Sequence, residues 1–574
     1  MSKTGQRWGR RGRWSLLAAG VVVAVALWGS LAAWAVTSPV GATPDEDFHI
    51  ASLYCTQGKM SCPWNAPRVY PCFAWDAQRS ADCSGDRDLP IPDTHTLPRN
   101  YPPIYNAVMS PLIGPTVGDT VLRVRLVNCT LAVLLLVGSI ALSRPSIRRA
   151  VALSWLVASI PLGIFIMTSV NPNSWAIMGV AALWGPLLTF VAGRGFRALD
   201  VGRAAFVLIA ALMALGGRRE PPPMVVITAL AMAVFAVRWP LSRMARQAWL
   251  RLLLPAGLVV IAGLFLFLLN GKAVEKAFSV VTTVASRGMS VAIGNAAPPP
   301  LPGLGPASGN SYSLWEIARN TAQTFAAGIG FPGVPNNQLG WLDTSMPPLV
   351  GILMAIAFVG AVMVGLGVIY RTKAIALAIV VVGGTAFVMF IWSGASNYAV
   401  QPRYVLPLIF VFAGLALLPR LAGKVELPSP LQTTLIALAA IAAYSVAMSA
   451  NAQRYLTGQT ASAVGVDPFA IRSAASPRWW LLGDGLSPGQ VWLGGTVAFV
   501  VAVTLGLALL QRPDWTVEDA EDADTLPPDA PLAGATGDQS SESRIVGNAS
   551  ASATFHGRIG DNPTSSHRSW PSTL

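Results

Sequence analysis

The chain has 574 residues and a formal net charge of +13, yet only 12% of its residues are charged and 53% are hydrophobic, for a mean hydropathy of +0.53. A soluble domain covers itself with about 25% charged residues, so a string of soluble domains is excluded. The positive charge is dispersed between apolar runs rather than gathered on one face, which excludes a nucleic-acid-binding protein.

A basic start, residues 1–13 with Lys3, Arg7, Arg10, Arg11 and Arg13, leads into the first of about twelve apolar runs. The runs are 14–36, 119–142, 150–169, 174–192, 202–216, 222–238, 249–270, 347–370, 374–393, 404–420, 430–450 and 491–511. About 20 apolar residues cross ~30 Å of hydrocarbon, and lipid offers no partner to exposed backbone groups, so each run is expected as a helix. The first run has a basic start and a small-residue pair, Ala33 and Ala35, as a signal peptide does. Its length favours a retained anchor. Run 202–216 is short enough to be tilted or incomplete. Segment 102–117 is apolar but broken by prolines, and is expected as a re-entrant or interfacial piece. The fold class that follows is an all-α integral membrane protein, with 14–511 as its membrane domain.

Orientation follows from Arg and Lys in the short loops. Arg144, Arg148 and Arg149; Arg194, Arg197 and Arg203; Arg238, Arg243, Arg246 and Arg251; Arg371 and Lys373; and Arg420 and Lys424 fall in alternate loops, on the side of the N-terminus. Both termini are therefore expected in the cytoplasm, with outer loops at 37–118, 271–346 and 451–490. The second outer loop holds a Pro/Gly-rich stretch, Ala296 to Gly309, followed by a predicted helix around Ser313–Ala327. Residues 512–574, first acidic and then rich in Ser, Thr, Gly and Pro, cannot bury a core and are expected to be a disordered cytoplasmic tail.

Cys55, Cys62, Cys72 and Cys83 cluster in the first outer loop. An even cluster facing an oxidising compartment predicts two disulfides, with the pairing open. A zinc site is the rival, but it lacks a C-x-x-C pair, and His49 and His95 lie outside the cluster. Cys129, inside a span, reads as an apolar filler.

The polar motifs crowd the outer side. Thr43-Pro-Asp-Glu-Asp-Phe-His49 opens the first loop and Arg99-Asn-Tyr-Pro-Pro-Ile-Tyr105 closes it. Asn171-Pro-Asn-Ser-Trp175, Arg218-Arg-Glu220, Trp341-Leu-Asp343, Gln401-Pro-Arg-Tyr404 and Gln453-Arg-Tyr455 follow, whereas the inner loops show little except Arg. Interfacial polar residues are costly, and one outer-face site fed from the membrane is the simplest account. Thr43, Pro44 and Glu46 also fit a helix N-cap, first position and capping-box partner, which makes the acidic motif a plain helix start. On that same helix Asp45 and His49 share a face, placing a carboxylate beside an imidazole. Such a carboxylate acts as a general base on a hydroxyl or holds a divalent metal ion, the one cofactor this motif admits. Arg403 and Arg454 are each followed by Tyr, and their guanidinium groups suit phosphate oxygens.

The set Pro44-Asp-Glu-x-x-His49, Tyr101-Pro-Pro-x-Tyr105, Val170-Asn-Pro-Asn173, Gly340-Trp-Leu-Asp343, Gln401-x-Arg-Tyr-x-x-Pro407 and Arg454-Tyr455 resembles a bacterial membrane family, domain of unknown function 2142. Pro402 stands where that pattern expects a small residue. The family is in turn similar to the GT-C glycosyltransferases, which take a sugar from a polyprenyl-phosphate carrier with an acidic residue of the first outer loop. The resemblance implies a GT-C-like bundle whose catalytic acidic residue is Asp45 or Glu46; the reading adopted has Asp45 as base, supported by Glu46 and His49. The resemblance also implies a lipid-linked donor held by Arg403 and Arg454, and an envelope glycan, lipid or protein acceptor. Tyr101, Tyr105, Asn171, Asn173, Arg218, Gln401, Tyr404 and Tyr455 complete the expected substrate site. The alternatives are a transporter or flippase of lipid-linked glycans, and a non-catalytic envelope-assembly protein in which the capping role of Asp45 and Glu46 suffices.

Overall fold

The computed structural model describes residues 10–58, 71–85, 101–193, 196–237, 246–286, 313–331, 339–392, 401–419, 428–458, 471 and 474–511. These all belong to the unit Met1–Pro528; the expected tail, 512–574, lies outside the described residues. Helices account for the regular structure, with one isolated antiparallel bridge, Leu339 to Thr344, among the described residues.

In chain order the helices are α1 (Arg10–Val36), α2 (Glu46–Thr56), α3 (Ile104–Met109), α4 (Val117–Leu142), α5 (Pro145–Ala158), α6 (Pro161–Met167), α7 (Asn173–Val191) and α8 (Ala198–Gly217). Then come α9 (Pro221–Ala233), α10 (Arg246–Ser286), α11 (Leu314–Gly328), α12 (Pro348–Leu366), α13 (Arg371–Phe390), α14 (Leu406–Ala416), α15 (Pro430–Thr457) and α16 (Pro488–Leu510). Proline within the first two helical positions opens α5, α6, α9, α12, α14, α15 and α16, where its missing N–H costs nothing.

Nine of the described helices are long and apolar enough to cross a membrane: α1, α4, α7, α8, α10, α12, α13, α15 and α16. The chain is a multi-pass membrane protein. Run 202–216, read as short, belongs to a 20-residue helix, α8. Three other runs depart from expectation. Run 150–169 is not straight: α5 and α6 meet at 96°, because Pro161 cannot continue the helix and pushes Ile160 into an extended conformation. Runs 222–238 and 404–420 yield only the 13-residue α9 and the 11-residue α14. The broken segment 102–117 forms α3 and a single 3₁₀ turn, Ser110–Leu112, rather than a span. The helix expected around Ser313–Ala327 is α11, its start closed by a Ser313–Glu316 capping box.

All of α7 is buried, since a helix apolar on every side has no face to offer water. It packs against α4, α8, α9 and α14. Gly179 permits the closest of these approaches, because a Cβ there would strike the Ala210 carbonyl of α8. Helices α1 and α16 run antiparallel at the periphery, Gly29 opposite Ala498 and Val23 beside Gly506. One end of the bundle therefore gathers the end of α1, the starts of α2, α4, α7, α9 and α14, and the ends of α8 and α15. The start of α1 and the end of α16 lie at the other end.

That other end is not merely a basic rim, as expected from its loops. Asp200 accepts from Arg203 Nη1 (2.7 Å) and from Arg251 Nη2 (2.8 Å), and Arg251 is wedged between the rings of Phe190 and Phe196. Lys373 is buried and donates to the carbonyls of Gly365, Val368 and Leu418, where α12 and α14 end. A cation at helix C-termini satisfies orphan carbonyls and complements the dipoles.

Candidate functional site

After Val36 the chain leaves α1 and crosses the gathered end as a non-helical segment that reaches Asp45. Asp45 is the N-cap of α2 and stands in the left-handed region, at φ 67° and ψ 6°. This corrects the expected helix start. Thr43 is not the cap and its hydroxyl has no hydrogen-bond partner, so only half of a capping box forms: Glu46 Oε2 accepts from the Thr43 N–H at 3.4 Å. The competing force is tertiary. Glu46, Pro44 and the carbonyls before them are pulled inward by α4 and the α7 entrance, and Asp45 is left pointing outward.

The Asp45 carboxylate, 30% exposed, accepts from Arg403 Nη2 at 3.0 Å. Arg403 lies in the 3₁₀ turn Pro402–Tyr404, where Pro402 supplies the fixed φ of the first position. Its side chain is 2% exposed, and its Nε and Nη1 have no hydrogen-bond partner. Arg218, just past the end of α8, is held by Glu220, Nε to Oε2 and Nη2 to Oε1, each at 3.1 Å. Its Nη1 is likewise buried without a partner. Both guanidinium groups lie over the Tyr404 ring, at 5.4 Å for Arg218 and 5.5 Å for Arg403, and Arg218 also lies 5.2 Å from the Tyr101 ring. The result is a pair of stacked arginines, each anchored by one carboxylate and each keeping N–H groups with no protein acceptor. Buried donors without partners are costly, and a site that presents them suits an anion.

The charges in this cluster are settled. Burial alone would raise the Glu220 carboxyl, but Arg218, with Arg219 behind it, holds it below the ordinary glutamate value. Burial works against the Arg218 charge, and Glu220 more than offsets it, so Arg218 stays protonated. Burial pushes the Tyr101 hydroxyl up to about 12 against the pull of Arg218, so at neutral pH it is a donor and not an anion.

Other expected site residues are engaged in holding the fold. Glu46 is fully buried and accepts from Arg125 Nε (3.0 Å), Arg125 Nη2 (2.7 Å) and the Val170 N–H (2.8 Å). Arg125 spends its remaining N–H groups on the carbonyls of Ala35, Ser38 and Pro39. Glu46 therefore has no capacity left as an acid or base, contrary to expectation. His49 is buried with its ring against Tyr101 and Phe48, 5.5 Å from each, and the Asp45 carboxylate accepts from Arg403. Arg454, expected on a phosphate, is fully buried and donates to the carbonyls of Phe73, Asp76 and Arg79 and to Asp343 Oδ2. The Tyr455 hydroxyl donates to the Ala42 carbonyl, and its ring packs on Phe73. Asn171 donates to the Pro44 carbonyl and accepts from the Asn173 N–H, fixing the backbone next to Asp45. Tyr105 is buried edge-on to Trp175. Asn173 Nδ2 and Gln401 Oε1 have no hydrogen-bond partner.

The main residues that motif reading passes over are Arg125, Glu220 and Asp343. Arg125 carries a usable signal, because a charge within an apolar run needs a buried partner. Glu220 and Asp343 stand inside the motifs but at spacings that do not reveal which arginine each one holds.

Cys72 and Cys83 form a disulfide with Cα atoms 6.0 Å apart, and Cys55 is disulfide-bonded. Cys62 lies outside the described residues, and Cys129 is free and buried. Among the described residues no three His, Cys, Asp or Glu side chains come together. The acidic motif does not fit a divalent cation, since Glu46 faces inward to Arg125 while Asp45 faces outward to Arg403.

Two solved structures resemble the chain. One is ArnT from Cupriavidus metallidurans bound to undecaprenyl phosphate, 15% identical, covering 92% of this chain and 83% of that one with a TM-score of 0.36. The other is the same protein in the apo state, 15% identical, covering 91% and 82% with a TM-score of 0.36. No curated protein matches. The family described as Predicted membrane protein (DUF2142) matches residues 27–412, well over half of the chain, and the chain belongs to that family.

Proposed function

We propose that the chain is a GT-C-type glycosyltransferase of a bacterial plasma membrane. It would move a sugar from a polyprenyl phosphate to an envelope acceptor on the extracytoplasmic face. The observation that carries this reading is the pairing of a partly exposed carboxylate, Asp45, with two buried arginines that keep unused donors. With the gathered end outward, the basic loops, the start of α1 and the end of α16 face the cytoplasm, in accord with the positive-inside rule.

In the proposed step the donor phosphate enters laterally from the bilayer and accepts from Arg403 Nε and Nη1 and from Arg218 Nη1. Tyr101 adds a neutral donor beside it. Asp45, still steadied by Arg403 Nη2, takes the proton of the acceptor hydroxyl. The acceptor oxygen bonds to the anomeric carbon as the bond from that carbon to the phosphate oxygen breaks. The polyprenyl phosphate leaves with the electron pair, and the arginines neutralise its growing charge. Preorganised donors aimed at a developing anion are worth most where water is excluded, as around Arg403.

Replacing Asp45 tests this directly. Asp45→Asn keeps the shape of the side chain and one acceptor for Arg403, and removes the proton acceptor. Transfer is expected to fall about 10²–10⁴-fold with the protein present at its normal level in the membrane. Envelope-glycan profiles of a deletion strain complemented with the variant give the readout. Full transfer by Asp45→Asn at normal abundance would sink the mechanism.

A further inference from the structure

Arg454 sits where three segments of chain meet. The carbonyls it binds, Phe73 (3.0 Å), Asp76 (2.8 Å) and Arg79, all lie inside the loop that the Cys72–Cys83 disulfide closes. Its Nη2 also reaches Asp343 Oδ2 at 3.0 Å. Asp343 Oδ1 accepts from the Trp341 N–H (3.2 Å) and from the Thr344 hydroxyl (3.0 Å), which folds the turn between Leu339 and Thr344. Out of that turn the Trp341 indole donates to the Gly41 carbonyl at 3.0 Å, and the Trp75 ring of the disulfide loop lies 5.3 Å from the Trp341 ring. One residue along α15, Tyr455 donates to the Ala42 carbonyl at 3.1 Å. Gly41 itself is left-handed at φ 78°, and a Cβ there would come within 2.8 Å of Pro71 Cγ, so the loop bears on the segment directly. Asp45 stands four residues further on.

We infer that Arg454, Asp343 and Trp341 are positioning residues that pass the order of the disulfide-closed loop to residues 41–46 and so hold Asp45 in its left-handed turn. The consequence for turnover rests on the proposed role of Asp45; the positional claim does not. A buried guanidinium cannot drift from its acceptors without leaving a charge unpaired. The 72–83 loop, pinned at both ends by the disulfide, keeps three such acceptors in place. A bare left-handed Asp would relax towards the helical region of α2, and the bonds to Gly41 and Ala42 anchor the chain ahead of it.

Backbone hydrogen exchange on the full chain in a bilayer disc tests the relay without any need for substrate. The amides of Ala42, Thr43 and Glu46 are hydrogen-bonded and report on the segment. Trp341→Phe keeps an aromatic side chain and removes the indole N–H to Gly41 together with part of the buried ring that packs on Trp75, so exchange over 41–46 should rise about five-fold or more, and by more than over 71–85. Arg454→Gln and the Cys72→Ser, Cys83→Ser pair should speed exchange in both segments, with Arg454→Lys in between because an ammonium recovers part of the donor set. In an assay of transfer the same order should appear in turnover, with the KM for donor unchanged. Exchange that rises in 71–85 but stays at the parent rate over 41–46 in every variant would overturn the inference. Should Arg454→Gln fail to accumulate, Trp341→Phe decides alone. A chain that shows the exchange pattern but transfers no sugar supports the relay and sinks the glycosyltransferase reading instead.

Discussion

Asp45 and Glu46 are adjacent acids, each paired with an arginine from a distant helix region, and the two pairs differ in almost every physical respect. Glu46 and Arg125 are 0% and 1% exposed, and nearly every donor and acceptor they own is used. Asp45 is 30% exposed, and Arg403 retains two buried nitrogens without partners. A saturated buried pair contributes order to the fold and nothing to chemistry. An unsaturated one leaves donors that a ligand or water can take up. Arg454 falls between the two: it reaches four protein acceptors, yet its Nε is buried without a hydrogen-bond partner, as Arg218 Nη1 is.

Substitutions can break or sharpen that contrast. The largest loss of stability is expected from Glu46→Ala, which strands a buried guanidinium among carbonyls and should cost about 3–5 kcal/mol. Abundance in the membrane and the melting midpoint of the purified protein should both fall; a normal midpoint would mean that the pair is not saturated. Next is Arg403→Lys, which keeps the charge but removes the fork. Losing hydrogen bonds to a charged ligand should weaken donor binding by about 1.5–3 kcal/mol, roughly 10–100-fold, at normal abundance. Equilibrium binding of a short polyprenyl monophosphate in micelles reads this, and an unchanged affinity would remove Arg403 from the phosphate site.

Glu220 gives a smaller, pH-dependent effect. Its folded pKa is depressed, so the stability it lends is present above pH 4.5, the ordinary glutamate value, and is lost as pH falls through the folded value. Glu220→Gln should flatten this acid limb of the melting curve, and a limb of unchanged slope would mean that Glu220 is not charged against Arg218. The smallest effect is expected at Thr43. Because its hydroxyl has no partner, Thr43→Val, which keeps the shape of this buried side chain, should change stability by less than about 0.5 kcal/mol, where loss of a true N-cap would cost about 1 kcal/mol. A larger loss in thermal unfolding would restore the capping role.

The membrane helices are legible in the sequence because hydrocarbon leaves little choice: a long apolar run has to satisfy its own backbone. The prolines of α5 and α6 announce a break, but the 96° between them depends on what packs into the angle. At the site, the gathering of motifs at one end is readable, but the pairing of Asp45 with Arg403 is not, since the spacing sets Asp45 toward His49. Which acid faces outward is not. Thr43-Pro44 is a good local cap signal, and it loses to Arg125 and Asn171, which pull Glu46 and Pro44 from 79 and 127 residues away. Motif reading singles out Arg454 but not its partners, for the same reason, since its acceptors lie as much as 381 residues earlier in the chain.

The left-handed backbone at Asp45 has one more consequence, for anyone engineering this protein. A non-glycine residue in that region carries a standing cost of about 1 kcal/mol or more. A design procedure that scores only the fold would therefore choose position 45 among its first replacements, writing in Gly or Asn and reporting a sturdier molecule. Under the proposed mechanism, that improved molecule would have lost its base.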